Sequence, residues 1–184
     1  MKVIRHRIEG RELIVLDDIL ATEKVARVAK DLSIACFPRM EHDGPGKEHV
    51  RTFALDMQLE AFKEHFLFDA MKRLVAEHFP GENQAPYCSY CNLIVYGDMT
   101  FPHRDCEPEQ SDVTALYYVN TEWKKEWAGE TLYYDADGNT ALAVNPRPGR
   151  LVLFRGGIEH NTGIPSRTCF ESRLTVACKF RAAS

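Results

Sequence analysis

The sequence has no long apolar run. Nothing in its 184 residues approaches the roughly 20 consecutive apolar residues of a membrane-spanning helix, so no membrane partner is expected. It has no excess of positive charge either. The formal net charge is −4, so no global basic field draws the chain to nucleic acid or to anionic lipid. The opening MKVIRHRIEGRELIVLDD is charged and holds no signal-peptide core, which makes a cytoplasmic location the default expectation. A second C-x-x-C is missing. Cys88 and Cys91 form the one such pair, in CSYC. A zinc ribbon needs two pairs, and a redox dithiol opens a helix, whereas this pair lies inside the strand-like run YCSYCNLIVY. With no sign of export, the six cysteines read as reduced thiols packed as small hydrophobes. Repeats, low-complexity segments and linkers are also lacking, so residues 1–184 are expected to form a single domain.

What is present is an ordinary globular composition. Hydrophobic residues make up 45% and charged residues 27%, enough for a sizeable core. RELIVLDDIL reads as a short strand and a turn, after which Thr22 is placed to N-cap a helix carrying Val25, Val28, Ala29 and Leu32 at helical spacing. FPRMEHDGPGKEHV, residues 37–50, reads as a loop. A second helix is expected over about residues 59–79, with Phe62, Phe66, Ala70 and Leu74 on one stripe and Pro80-Gly81 as its stop. From Tyr87 onward, short runs rich in β-branched and aromatic residues alternate with turn signals such as DADGN and NPRPG. Helices first and many short strands later point to an α+β domain, a β-sandwich or jelly roll with N-terminal helices packed on one face.

FPHRDCEPEQ, residues 101–110, carries the chemistry. In an extended segment residues i and i+2 project to one side, so His103 and Asp105 converge on one point. They can hold two neighbouring sites of a metal and need a third ligand. His160 ends the strand-like RLVLF and its Gly-Gly turn, whereas His6, His42, His49, His65 and His78 lie in the first half of the chain, outside the strand-rich part. Two His and one carboxylate on one face of an octahedron leave three positions open, the arrangement of non-haem iron(II) oxygenases, and a structural zinc site would be closed by four ligands. A chelating 2-oxo acid with a distal carboxylate also needs a cation. Arg173 stands thirteen residues beyond His160 at the start of SRLTVACKF, and its planar fork suits a carboxylate. Thr175 on the same face and Tyr118 in LYYVN could add hydroxyls.

These stretches resemble the prolyl-4-hydroxylase-like superfamily of 2-oxoglutarate/Fe(II) dioxygenases. The family's order of tyrosine and glycine, H-x-D, distant His and nearby basic residue is similar to YGDMTFPHRD, FRGGIEH and SRLT here. The core strands are similar to TALYYVNTEWKKEWAGETLYYD and VNPRPGRLVLF, and the likeness runs from Tyr87 to Phe180. It implies a double-stranded β-helix (jelly-roll, cupin-like) core over 87–184, with 1–86 as mainly helical support and lid. It implies His103, Asp105 and His160 as iron ligands and as catalytic residues together with Arg173. Arg173, Tyr118 and Thr175 would bind 2-oxoglutarate, and Tyr96 would line that pocket. The interval from His160 to Arg173 is longer than the family's usual one, which makes Arg167 a rival. Arg173 is preferred because R-x-[ST] opening a strand is the family form.

The implied requirements are Fe(II), 2-oxoglutarate as co-substrate, O2, and ascorbate as an accessory reductant. The implied reaction is hydroxylation of a peptidyl proline or an amino-acid-like small molecule. Because Asp105 is a carboxylate, halogenation is not expected. A non-catalytic metal-binding β-barrel and a cupin-type dioxygenase that needs no oxo acid stand as alternatives. The first predicts tight zinc without O2 consumption, and the second predicts indifference to Arg173. The loop 38–50, with Arg51, is expected to reach over the site as a lid, an idea excluded if deleting the loop leaves substrate affinity and turnover unchanged.

Overall fold

The computed structural model describes residues 1–81 and 84–182. Eleven strands and three α-helices are assigned among them. In chain order these are β1 Lys2–Ile8, β2 Arg11–Asp17, α1 Thr22–Ser33, β3 Arg39–Glu41, β4 Thr52–Asp56, α2 Leu59–Phe62, α3 Phe66–His78, β5 Gln84–Ile94, β6 Val113–Tyr118, β7 Thr131–Tyr134, β8 Thr140–Val144, β9 Leu151–Arg155, β10 His160–Thr162 and β11 Arg173–Ala182. The larger sheet has the order β1-β2-β9-β6-β11-β5-β4-β3 and the smaller one β10-β7-β8, and all pairings are antiparallel. The chain is thus mostly β-sheet with few helices, consistent with a double-stranded β-helix. No helix among the described residues is long and apolar enough to cross a membrane.

Period-two alternation divides each central strand between two faces. On one face Val113, Ala115 and Tyr117 of β6, Leu151 and Leu153 of β9, and Val176, Cys178 and Phe180 of β11 join a cluster with Val28 and Leu32 of α1 and Leu67, Phe68, Met71, Leu74 and Val75 of α3. On the other face Leu13 and Val15 of β2, Tyr118, Val152 and Phe154 pack against Tyr133 and Val144 of the smaller sheet. The second face encloses the functional cavity. Its open end falls where β11, β6 and the H-x-D segment meet.

Several local expectations change. The first 86 residues contribute four strands to the larger sheet, because β1 and β2 form a hairpin that adds to β9. Thr22 is the first residue of α1; Ala21 occupies the cap position and supplies no side-chain bond. The single helix expected over 59–79 is two helices. His65 is extended, and its Nδ1 accepts from the Leu67 amide at 3.2 Å, so a new helix is capped inside the apolar stripe. Segment 37–50 contains the short β3. Cys88 and Cys91 lie in β5 and all six cysteines are free thiols.

Asp17 at the end of β2 is buried among charges. Arg150 reaches it through Nε at 2.7 Å and Nη2 at 3.0 Å, and Arg147 through Nη1 at 3.1 Å. Burial works against the carboxylate, but the two guanidiniums outweigh it and hold its pKa below the ordinary 3.8. This pair ties the P-x-P-G-R turn to the adjoining strand.

Candidate active site

The backbone brings the two halves of the site together. His103 and His160 form an isolated antiparallel bridge, each amide donating to the other's carbonyl at 2.9 Å, and the Asp105 amide donates to Gly156 O at 2.9 Å. The Gly-Gly turn is needed for this approach. A Cβ on Gly156 would stand 2.9 Å from Cys106 Sγ and 3.3 Å from Asp105 Cβ. The segment carrying H-x-D is therefore stitched to the end of β9 and to β10.

His103, Asp105 and His160 each offer a ligand atom, and these atoms lie within 4.8 Å of one another. His103 Nε2 is 3.9 Å from Asp105 Oδ1, and His160 Nε2 is 3.7 Å from Oδ2. Both Nδ1 atoms face backbone carbonyls, Phe101 O at 3.1 Å and Ile158 O at 3.0 Å. A carbonyl only accepts, so each Nδ1 carries the proton and each Nε2 presents a lone pair, the tautomer a metal requires. Thr114 donates to Asp105 Oδ2 at 2.5 Å, and the Lys179 ammonium lies 2.8 Å from Oδ1. Burial opposes the charge of Asp105, but His160, Lys179 and His103 around it bring its pKa down to about 2. Burial pushes His160 down to about 4 against the pull of Asp105, so the imidazole is neutral near pH 7. One anionic and two neutral donors, oriented by second partners, fit a divalent metal.

Arg173 is buried in the floor of the barrel. Its Nε donates to Gly129 O at 2.6 Å and its Nη2 to Thr131 Oγ1 at 2.8 Å, and its guanidinium lies 5.2 Å from the centre of the Tyr118 ring. Gly129 has φ +81°, and a Cβ there would come within 3.3 Å of Arg173 Cδ, which accounts for the glycine of A-G-E. Burial lowers the pKa of Arg173 from its ordinary value, yet a guanidinium remains charged at any ordinary pH. Among the described residues its Nη1 and the Tyr133 hydroxyl are buried without a hydrogen-bond partner. Burial raises the pKa of Tyr133 well above that of a free phenol, so it stays a donor. A buried cation and a phenol with unused donors suit an anionic group that the protein itself does not supply.

The predicted residues divide accordingly. His103, Asp105 and His160 converge. Arg173 is buried inside the barrel, whereas Arg167 is exposed, and it lies behind the cavity wall at Thr131, to which it is hydrogen-bonded, and not on the cavity surface itself. The Tyr118 hydroxyl bonds Thr131 at 2.6 Å and Val144 O at 3.2 Å, so it braces Thr131 beside Arg173. Thr175 is buried on the inner face of β11, opposite Tyr118. Tyr96 departs from expectation. It is 61% exposed and does not border the cavity, because the turn closed by Asp98 N to Val95 O swings it outward. Arg51 likewise stays off the cavity, but Pro38 and residues 40–44 line it. Asp43 accepts from the Phe101 amide at 2.6 Å, and Lys47 donates to Pro102 O at 3.1 Å, so the segment lies directly over H-x-D. Thr114, Tyr133 and Lys179 escaped the sequence reading. Continuing the alternation that placed Arg173 and Thr175 on one face of β11 would have reached Lys179.

The cavity measures about 870 Å³ and runs from Thr131 and Phe154 past the metal-ligand cluster to Met40 and Asp56. The description "2OG-Fe(II) oxygenase superfamily" matches residues 91–181. No curated protein is a significant sequence match. Among solved structures, a prolyl hydroxylase from Trichoplax adhaerens, in complex with a hypoxia-inducible-factor peptide, aligns with a TM-score of 0.70 at 15% identity, covering 92% of this chain and 83% of that one. A Pseudomonas putida prolyl-4-hydroxylase aligns at 0.64 and 21% identity, covering 92% of each. The α-ketoglutarate-dependent epimerase SnoN of nogalamycin biosynthesis aligns at 0.61 and 17%, covering 94% and 79%. At such identities these likenesses carry the fold. With that fold, the matched region and the strand order around H-x-D in agreement, the chain belongs to the 2OG-Fe(II) oxygenase superfamily.

Proposed function

We propose that the chain is a 2-oxoglutarate- and Fe(II)-dependent dioxygenase that hydroxylates an unactivated C–H bond of a peptidyl proline or an amino-acid-like small molecule. The observation that carries this reading is the pairing of a His-Asp-His cluster with Arg173, a buried cation whose Nη1 has no partner among the described residues. His103, Asp105 and His160 would hold the iron through Nε2, a carboxylate oxygen and Nε2. With O2 and 2-oxoglutarate the iron supplies the oxidising power, one oxygen atom going to the substrate and the other into succinate as CO2 leaves.

The protein's own tasks are binding and exclusion of water. Arg173 Nη1 and the Tyr133 hydroxyl would hold the distal carboxylate, with Thr131 as the link between Arg173 and Tyr118. Leu116 and Phe154 give the cavity its apolar wall, which strengthens those contacts by keeping water out. Thr114 and the two carbonyls hold the ligands in orientation. The segment 38–44, anchored through Asp43 and Lys47, would act as the lid. The prolyl hydroxylases among the structural neighbours support hydroxylation, and SnoN shows that the same fold also serves an epimerase.

The test is succinate formation with Fe(II), 2-oxoglutarate and ascorbate, followed by a mass screen for the gain of one oxygen atom on proline-containing peptides and free amino acids. Asp105→Ala is expected to abolish succinate formation. Wild-type turnover in that variant would end the assignment.

A further inference from the structure

We propose that Lys179 is a second anion site in the cavity and that the substrate is a free α-amino acid whose carboxylate it receives. This rests on the dioxygenase reading above and chooses between its two substrate classes. Lys179 follows Arg173 by six residues on the same inner face of β11, which sets their Cα atoms roughly 20 Å apart along the strand. Their heads meet different partners, Asp105 for Lys179 and Gly129 O with Thr131 for Arg173. One co-substrate carboxylate cannot use both. In register Lys179 lies opposite Thr114 and Cys88, level with Asp105 at the mouth of the site.

The Lys179 side chain is only 18% exposed and borders the cavity. Its Nζ sits 2.8 Å from Asp105 Oδ1 and 5.4 Å from the centre of the Tyr90 ring, and among the described residues its ion pair is with Asp105. A buried ammonium needs an anion. Asp105 carries one negative charge, and metal binding claims it. A divalent metal, Asp105 and the oxo-acid carboxylate chelating that metal sum to zero, so Lys179 leaves the inner site with one uncompensated positive charge. An internal peptidyl proline has no anion to offer. A free amino acid offers its carboxylate.

The outer wall has the opposite sign. Glu41, Asp43 and Asp56 border the same cavity on the side of β3 and β4, where they suit the amino acid's ammonium. The volume of about 870 Å³ leaves room for 2-oxoglutarate and a small second molecule.

The experiment is calorimetric binding to the full chain loaded with Ni(II) and 2-oxoglutarate, which needs no turnover. The probes are the standard L-amino acids and the same compounds as carboxamides. At least one free acid is expected to bind, with its carboxamide weaker by about tenfold or more. Lys179→Met, titrated at saturating Ni(II), should bind that acid and its amide alike while keeping its 2-oxoglutarate binding, whose retention also reports a folded site. Lys179→Arg should restore part of the preference. Equal binding of acid and amide by the wild type, or no binding of any free acid, overturns the proposal. So does a loss of 2-oxoglutarate affinity of about tenfold in Lys179→Met, which would assign the ammonium to the oxo acid's own chelating carboxylate. If the wild type shows no metal-dependent 2-oxoglutarate binding, the dioxygenase reading fails and this proposal goes with it.

Discussion

Replacing Arg173 by Met isolates the role of the buried guanidinium. The substitution keeps an unbranched chain of similar reach but removes the donor Nη1, the charge, and the bonds to Gly129 O and Thr131. Truncating one partner of a buried, hydrogen-bonded charge pair costs about 2–5 kcal/mol, which corresponds to roughly thirty-fold to several-thousand-fold in 2-oxoglutarate affinity. The assay is calorimetric titration of the Ni(II)-loaded protein with 2-oxoglutarate and with 2-oxopentanoate, which has a methyl group in place of the distal carboxylate. The wild type should prefer 2-oxoglutarate by that factor, and Arg173→Met should show almost no preference. This double cycle cancels general damage, since both ligands chelate the metal through the same end. Damage is expected as well. Gly129 O loses its side-chain donor, at about 1–3 kcal/mol for a buried group left unsatisfied, and Thr131 Oγ1 keeps only its bond to the Tyr118 hydroxyl, so the melting temperature should fall. Arg173→Lys keeps the charge but not the fork and should be intermediate. A preference for 2-oxoglutarate that survives in Arg173→Met would refute the reasoning.

Two further outcomes follow from the surroundings of the site. Because the Asp17 pKa is lowered in the folded protein, its ion pairs stabilise fully above the unfolded value near 3.8; that stability is lost as pH falls through the folded pKa. Asp17→Asn should cost about 3 kcal/mol at neutral pH, the low end for breaking a buried pair because Arg147 is half exposed. It should also flatten the acid limb of the stability curve, and melting temperature against pH from 2 to 7 checks both (about the span in which carboxylates titrate); an unchanged acid limb would count against the pairing. Gly156→Ala should displace Asp105, since its new Cβ would meet Asp105 Cβ at 3.3 Å and Cys106 Sγ at 2.9 Å, and weaken metal binding by roughly ten- to a hundred-fold, the usual effect of disturbing groups that orient a ligand. Equal Ni(II) affinity in the variant and the wild type would show that the turn has room to spare.

How much of this was legible beforehand depended on range. The H-x-D pair, His160 and Arg173 could be read because each occupies a local context, an extended i, i+2 pair or a strand end, that directs a side chain whatever surrounds it. The strand-rich second half was legible for the same reason, through alternation and turn residues. Tyr96 misled because its direction is set by the turn that Asp98 closes two residues farther on, and not by the strand it follows. The division of the second helix escaped notice because the apolar stripe continues across it while His65 caps a new helix within it. Strands β1, β3 and β4 were unreadable because they are edge or near-edge strands with mixed burial.

Residue type and periodicity alone therefore pointed to His103, Asp105 and His160 as candidate donors and to Arg173 as a candidate cation, whereas iron and 2-oxoglutarate followed from the family resemblance. Contacts between residues far apart in sequence were decided only by folding. The bridge that locks His103 to His160, the Thr114 hydroxyl on Asp105, the Gly129 carbonyl that turns Arg173, and the Lys179 ammonium facing Asp105 all depend on strand register. Register comes from burial of both faces of the sheet at once, a property of the assembled barrel that no window of sequence contains.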